Sequence, residues 1–342
     1  MMTATFIAGK TLKTLRRQCF PLCILLLVFV MFTRCYWKNL LQNAADKALK
    51  FSGLRYTPMK LHANFSDIQY QYHLLSEPFV DRCRDKTVFV FIPSRPSSFD
   101  QRQAIRLTWA HPEKTTHALF HFVVGSPEDD NVSKILEAES RIHGDLIIND
   151  IVDSYRNLSL KIYAGLDWYN RFCSEVPFVL KIDDDSVLDV DRLVYFMNRE
   201  FQHHSNKTLF GITWKGTAVN RNKNSTWFVF PYIYTPRIYP TYCNGPAYMM
   251  TSEAASAILE KAAEHPFLHV EDAFYTGILA NAAGVRRVDK KGIFWWKDVV
   301  RVTSCDADGV PRLSTMYSYP TPESLYKAYF RLKRVKCATH KP

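Results

Sequence analysis

Between Lys86 and Ile182 four short apolar runs, KTVFVFI, ALFHFVV, DLIIND and FVLKI, are separated by segments of helical length and pattern. Those segments are FDQRQAIRLTWA, NVSKILEAESRIHG and YRNLSLKIYAGLDWYNRFC. Strands that alternate with helices build a mostly parallel sheet covered on both faces, so this region predicts an α/β domain. Ser98 and Gln101 are spaced as a capping box at the head of the first helix. Beyond Asp191 the pattern becomes mixed, with strands expected near TLFGITW, STWFVF and AYMMT and helices near SEAASAILEKAAE and EDAFYTGILANAAG.

The fourth run feeds directly into three consecutive carboxylates, Asp183, Asp184 and Asp185. In doubly wound α/β proteins the carboxyl edge of the strands is where ligands bind. Side chains alternate along an extended chain, so Asp183 and Asp185 are expected to share one face and Asp184 the other. Two carboxylates that close either raise a pKa or hold a cation, and hard oxygen donors suit Mn²⁺ or Mg²⁺. A solvated acidic turn is the plain alternative. A calcium EF-hand loop is excluded, because no start within Asp183 to Asp191 gives the central glycine with correctly spaced acidic ligands.

With 47% hydrophobic and 14% aromatic residues, the 342-residue chain has enough apolar material for a substantial core. Its formal charge of +11 favours an anionic partner. No basic repeat with interleaved aromatics is present, so no nucleic-acid partner is expected. Cys19 to Thr33 is uncharged, and the apolar stretch reaches Trp37 if Arg34 snorkels to the interface. Lys10, Lys13, Arg16 and Arg17 precede it, no acidic residue occurs before Asp46, and no small-residue cleavage site follows. These features predict a cytoplasmic tail over 1–17, an uncleaved transmembrane signal anchor over 18–37, a polar stem over 38–84 and a lumenal domain over 85–342. Sequons at Asn64, Asn131, Asn157, Asn206 and Asn224 all fall on the lumenal side and predict a glycoprotein. Cys83, Cys173, Cys243, Cys305 and Cys337 fall there too, an odd set able to form disulfides with one thiol left over. Cys35, beside the membrane, leaves a cross-linked homodimer open. The GKT at Gly9 to Thr11 lacks the upstream glycine of a phosphate loop, and no G-x-S-x-G, H-E-x-x-H or GxGxxG motif appears where it would carry chemistry.

Six motifs occur in one order: RQAIRLTW (Arg102 to Trp109), FVVG (Phe122 to Gly125), DSYRNLSLK (Asp153 to Lys161), KIDDD (Lys181 to Asp185), YPTYCNGPAY (Tyr239 to Tyr248) and EDAFYTG (Glu271 to Gly277). Together with the anchor they resemble the β-1,3-glycosyltransferase (galactosyltransferase) family of type II Golgi membrane enzymes, over Lys86 to Gly284. The resemblance implies a GT-A-like, Rossmann-type mixed sheet flanked by helices, preceded by a single transmembrane helix and stem. It implies a UDP-sugar donor, Mn²⁺ or Mg²⁺, and a glycoprotein or glycolipid acceptor. The expected reaction is β-1,3 transfer of a hexose, galactose favoured over an N-acetylhexosamine, with inversion at the anomeric carbon.

By the same resemblance Asp185 is the chief metal ligand with Asp183, while Asp183 and Asp184 stand on the donor side. Asp272 is the candidate base and Glu271 the runner-up, although acidic residues in the first turn of a helix also oppose its macrodipole without any catalytic role. Arg102 and Arg106, one helical turn apart, would face a phosphate or uracil together, or would be two solvated helix arginines. Asp153, Tyr155 and Lys161 would contact the nucleotide or make structural hydrogen bonds. Tyr242, Asn244 and Gly245 are expected near the acceptor, with a disulfide from Cys243 to Cys173 fixing their loop. Pro246 and Ala247 stand where many relatives carry glycines, and only His340 follows the EDAF motif, so a carboxy-terminal histidine ligand is not expected. An inactive relative serving as a lumenal chaperone and a membrane-anchored lectin are the competing readings.

Overall fold

A computed structural model describes residues 57–78, 80–111, 116–203, 207–295, 301–302 and 304–337. The expected tail and anchor lie outside these residues, and no helix among the described ones is long and apolar enough to cross a membrane. Tyr56–Ser133 and His143–Pro342 form one compact unit, to which everything below refers; Lys134–Ile142, within the Asp130–His143 helix, belong to a second.

The unit is built on a nine-stranded mixed sheet. Its strands are β1 (Met59–Asn64), β2 (Gln69–Leu74), β3 (Val88–Ser94), β4 (Ala118–Ser126), β5 (Leu146–Val152), β6 (Phe178–Ile182), β8 (Thr208–Trp214), β9 (Tyr242–Thr251) and β10 (Arg286–Asp289), with the short β7 (Val187–Leu188) outside it. The spatial order is β1-β2-β5-β4-β3-β6-β9-β8-β10. The middle four strands run parallel, β3 pairing with both β4 and β6 and β4 with β5. These are the four apolar runs of the sequence. Every residue of β3 and β6 is buried, as strands covered on both faces require. Burying each Val, Ile or Phe contributes about 1.5–3 kcal/mol, which makes this region the anchor of the fold. β9 then runs antiparallel to both β6 and β8, so the parallel expectation holds for the centre of the sheet and not for its flank.

The helix Leu158–Phe172 lies against the centre of the sheet, with Ser159 through Tyr169 all buried. It can approach closely because Gly165 has no side chain: a Cβ there would stand 2.8 Å from Phe91 and 3.2 Å from Val123.

The expected stem is corrected over its described part. β1 and β2 form an antiparallel hairpin joined to β5 through Leu74 and Asn149. Leu61, Ala63, Tyr72 and Leu74 point into the core, and the Tyr72 hydroxyl donates to Asp167 Oδ2 at 2.8 Å on the Leu158–Phe172 helix. A hairpin with one wet face carries Lys, His and Gln between its buried residues, which dilutes the apolar signal. The STWFVF segment is not a strand; it belongs to the long connection from β8 to β9. The capping box at Ser98 does not form, because Gln101 Nε2 donates instead to Asp184 O at 2.7 Å and Tyr319 O at 3.0 Å. A further helix, Pro322–Arg334, starts with a Thr321–Ser324 capping box and proline in its first turn, and buries Leu325, Ala328, Tyr329 and Leu332.

Gly165→Ala gains helix propensity of under about 1 kcal/mol but overpacks a rigid contact costing about 1–3 kcal/mol. Denaturant unfolding should therefore show a net loss of about 1 kcal/mol; a more stable variant would mean that Phe91 can yield.

Candidate active site

The acidic triplet is not extended. Ser186 N donates to Asp183 O at 3.1 Å and closes a turn, while Asp183 N donates to Pro246 O at 2.9 Å and Tyr319 N to Asp185 O at 2.8 Å. Strand alternation therefore does not carry through it, and the three carboxylates point to three environments. Asp183 Oδ1 meets Lys181 Nζ at 2.6 Å. Asp184 lies under Ser94, Lys161 and Arg102; burial raises its carboxyl above the ordinary range against the hydrogen bond from Ser94. Burial together with the charges of Asp183 and Asp184 pushes Asp185 up to about 6, against the pull of Lys181.

A crowded, partly buried carboxylate of this kind suits a cation. Among the described residues no group of three or more His, Cys, Asp or Glu side chains is arranged to hold a metal ion. His269 Nε2 meets Thr226 O at 3.1 Å. Asp185 and Asp183 are hard oxygen donors of the type a divalent ion takes, and Asp183 Oδ1 is already paired with Lys181.

Lys181 is the residue that sequence reasoning passed over. It is fully enclosed, at 0% exposure, and its Nζ reaches Gly245 O at 2.7 Å and Glu271 Oε1 at 2.9 Å besides Asp183. Tyr248 OH lies 3.0 Å from the other oxygen, Glu271 Oε2. A lysine inside an apolar strand run was the only available signal. Burial works against its ammonium, but the charges of Asp183 and Glu271 outweigh that and hold it above its ordinary range. One cation then faces two carboxylates, and the surplus negative charge falls on Glu271, which burial pushes up to about 7 against the pull of Lys181.

Asp272 differs from its neighbour. Oδ1 accepts from Ala273 N at 2.8 Å, as a helix-start carboxylate would. Oδ2 faces Gly245, standing 3.4 Å from where a Cβ would be, the same distance as Glu271 Oε1. Burial raises this carboxyl also. Asp272, Glu271 and Gly245 line a cleft of about 570 Å³ with Asp183, Tyr242 and Asn244. Its remaining wall is largely aromatic, from Tyr155, Trp214, Trp227, Tyr239 and Tyr317. Trp227 Nε1 donates to Tyr155 OH at 2.8 Å, and Asn244 Nδ2 to Tyr317 OH at 2.8 Å, which sets the ring orientations. The connection bearing Trp227 is braced by Arg221, whose guanidinium donates to Val229 O, Tyr234 O and Pro236 O at 2.7, 2.5 and 3.0 Å.

The arginines expected at the donor are spent on scaffolding. Arg106 forms a two-pronged pair with Asp145 at 2.7 and 2.8 Å. Arg102, fully buried, donates to Ser94 Oγ, Arg95 O and Pro96 O at 3.2, 2.5 and 3.1 Å, and so shapes the loop after β3. Lys161 donates to Asp153 Oδ1 at 2.7 Å and to Ser94 O at 2.8 Å. Asp153 and Lys161 therefore brace that same loop, and of these residues Tyr155 alone lines the cleft.

A family model described as Galactosyltransferase matches residues 100–291, more than half of the chain and every cleft-lining residue named above except Tyr317. The chain belongs to the galactosyltransferase family. Beta-1,3-galactosyltransferase 1 of Mus musculus is 29% identical over 259 residues, covering 75% of this chain and 76% of that protein. Beta-1,3-galactosyltransferase 2 of Homo sapiens is 28% identical over 223 residues, covering 64% of this chain and 51% of that protein. Among solved structures a 4-diphosphocytidyl-2C-methyl-D-erythritol synthase overlaps 72% of this chain and 99% of that chain, a loose likeness at 12% identity and a TM-score of 0.36.

In this galactosyltransferase-family chain the expected Cys173–Cys243 disulfide is absent. Cys173 pairs with Cys83, their Cα atoms 5.4 Å apart, and Cys305 pairs with Cys337. Cys243 is a free, buried thiol whose backbone is fixed by Thr276 Oγ1 at 2.8 Å, and burial pushes its thiol up to about 12. β9 packs it against Gly211 of β8, away from the end of the Leu158–Phe172 helix where Cys173 sits. Of the sequons, Asn64, Asn131 and Asn224 are exposed and Asn206 lies outside the described residues. Asn157 Nδ2 donates to Val152 O at 2.9 Å, and the hydroxyl of its sequon partner Ser159 is buried against Leu268 O.

The raised Glu271 carboxyl makes stability depend on pH. Between its ordinary 4.5 and about 7 the folded chain holds a proton that the unfolded chain releases. The stability this proton confers is present below that window and lost as the pH rises through it. Relative to the non-titrating Glu271→Gln, the wild type should lose roughly 2–3 kcal/mol across the window, at about 1.4 kcal/mol per pH unit. Denaturant titrations at several pH values test this; a difference that does not vary with pH would mean that Lys181 keeps Glu271 ionised throughout.

Proposed function

We propose that this chain is an inverting, metal-dependent glycosyltransferase that moves a hexose, galactose favoured, from a UDP-sugar to a hydroxyl of a glycan acceptor in β-1,3 linkage. Family membership supports the glycosyl-transfer class. The observation that carries the rest is the geometry of Asp272, half-buried with Oδ2 turned toward Gly245 in an aromatic-walled cleft, beside an acidic turn at the carboxyl end of β6.

The acceptor sugar lies in the cleft, its C–H faces against tyrosine and tryptophan rings and its hydroxyls near Asn244 and Asp272. Asp272 takes the proton of the attacking hydroxyl. As the new bond forms from the acceptor oxygen to the anomeric carbon, the bond from that carbon to the diphosphate breaks, and its electron pair leaves with UDP. Attack from the face opposite the leaving group inverts the centre. Asp185 and Asp183 would hold the divalent ion, which supplies positive charge beside the leaving diphosphate. Glu271, hydrogen-bonded on both oxygens, is the poorer base. The apolar stretch over 18–37, the exposed sequons and the two disulfides support placement as a type II membrane glycoprotein of the Golgi lumen.

The detergent-solubilised full chain should release UDP from one member of a UDP-sugar panel with Mn²⁺, faster when a glycan acceptor is added. Asp272→Asn should lower transfer by roughly 10²-fold or more while UDP-sugar binding persists. Asp185→Asn should abolish the response to Mn²⁺ and leave the fold intact. Glycan binding without any UDP release would favour a lectin, and wild-type turnover in Asp272→Asn would remove it as the base.

A further inference from the structure

The three polar partners of Lys181 belong to three separate segments. Asp183 is in the acidic turn, Gly245 is in β9 among the cleft residues, and Glu271 immediately precedes Asp272. An ammonium has three protons to donate, so its capacity is filled. The Tyr248 ring stands 5.6 Å from Nζ, and its hydroxyl meets the far oxygen of Glu271. Lys181 itself is held by β6, which pairs with β3 on one side and β9 on the other. Buried ion pairs add little to stability compared with a well-packed apolar side chain, so stability alone gives no reason for a lysine here. Its placement does, since it fixes the distance between the donor-side turn and the acceptor-side strand and base.

We propose that Lys181 is a positioning residue for glycosyl transfer, an internal cation that holds the acidic turn, Gly245 and the Glu271–Asp272 pair in the register needed for in-line attack. This rests on the glycosyltransferase reading above. An error of about 1 Å in such a register costs roughly 10²-fold in rate. Water attacking the donor needs no register with the acceptor strand, so hydrolysis of the UDP-sugar is the internal control.

The test uses the full chain in detergent as wild type, Lys181→Met and the double variant Lys181→Met/Glu271→Gln. The single variant strands two carboxylates and can fail to fold; the double variant removes the cation together with one of them. UDP release is measured with and without acceptor, UDP affinity by titration, and folding by thermal melting. The expected result is a folded double variant that binds UDP and loses about 10²-fold more in transfer than in hydrolysis. Equal losses in the two rates would overturn the proposal, as would wild-type transfer by the double variant or unfolding of both variants, each making Lys181 a structural counter-charge. A wild type that releases no UDP from any sugar nucleotide would overturn the glycosyltransferase reading itself, an outcome distinct from the others.

Discussion

A lysine ammonium with no access to water sits at the end of one of the most deeply buried strands of the sheet. Taking such an ion from water costs several kcal/mol even after relaxation, and the cost is offset only where counter-charges and acceptors fill its donor sites. Asp183, Glu271 and the Gly245 carbonyl do so. The arrangement forces the acidic turn, β9 and the EDAF segment together, and leaves a net negative charge among them. Burial, with neighbouring carboxylates adding to it, raises the carboxyls of Glu271 and Asp185 against the pull of Lys181. Glu271 is bound on both oxygens, by Lys181 and Tyr248, whereas Asp272 accepts from Ala273 N on Oδ1; both residues line the cleft.

Around this centre the polar residues divide by role. Arg102 and Lys161 hold the backbone at the end of β3 and in the loop after it, Asp153 pairs with Lys161, and Arg106 is neutralised by Asp145. Their charges are met inside the protein. The cleft wall is instead rich in aromatics, with Trp227 and Tyr239 from the connection between β8 and β9, Trp214 from β8, and Tyr155 and Tyr317 from distant segments; Arg221 and the Trp227–Tyr155 contact brace the connection. Flat rings with polar rims complement sugars, which present C–H faces and hydroxyl edges.

Much of the fold was legible in the sequence for a simple reason: strands buried on both faces must be continuously apolar, and the helices between them must carry a 3.6-residue pattern. The β1–β2 hairpin escaped because half of its residues face water. STWFVF reads as a strand by composition, yet its aromatics serve the cleft connection. Gln101 has the spacing of a capping residue and is drawn away by two backbone carbonyls from distant segments. In the site, Asp183, Asp185, Asp272, Tyr242, Asn244 and Gly245 were readable as motif residues. Tyr239 and Tyr248 lay inside a quoted motif without a role, and Trp214, Trp227 and Tyr317 lay outside the motifs. Nothing local marks an aromatic residue as cleft wall rather than core.

The sequence by itself determined the α/β class, the central strands, the position of the acidic triplet and the family, because each depends on residue type and short-range spacing. Tertiary structure decided the rest. Which cysteine pairs with Cys173, which carboxylate of the Glu271–Asp272 pair is bound on both oxygens, and whether Arg102 faces a ligand or a loop all depend on partners far away in sequence. Lys181 shows the difference most sharply: in the sequence it is one charge in an apolar run, and only the pairing of β6 with β9 reveals the two carboxylates and the carbonyl that make its burial possible.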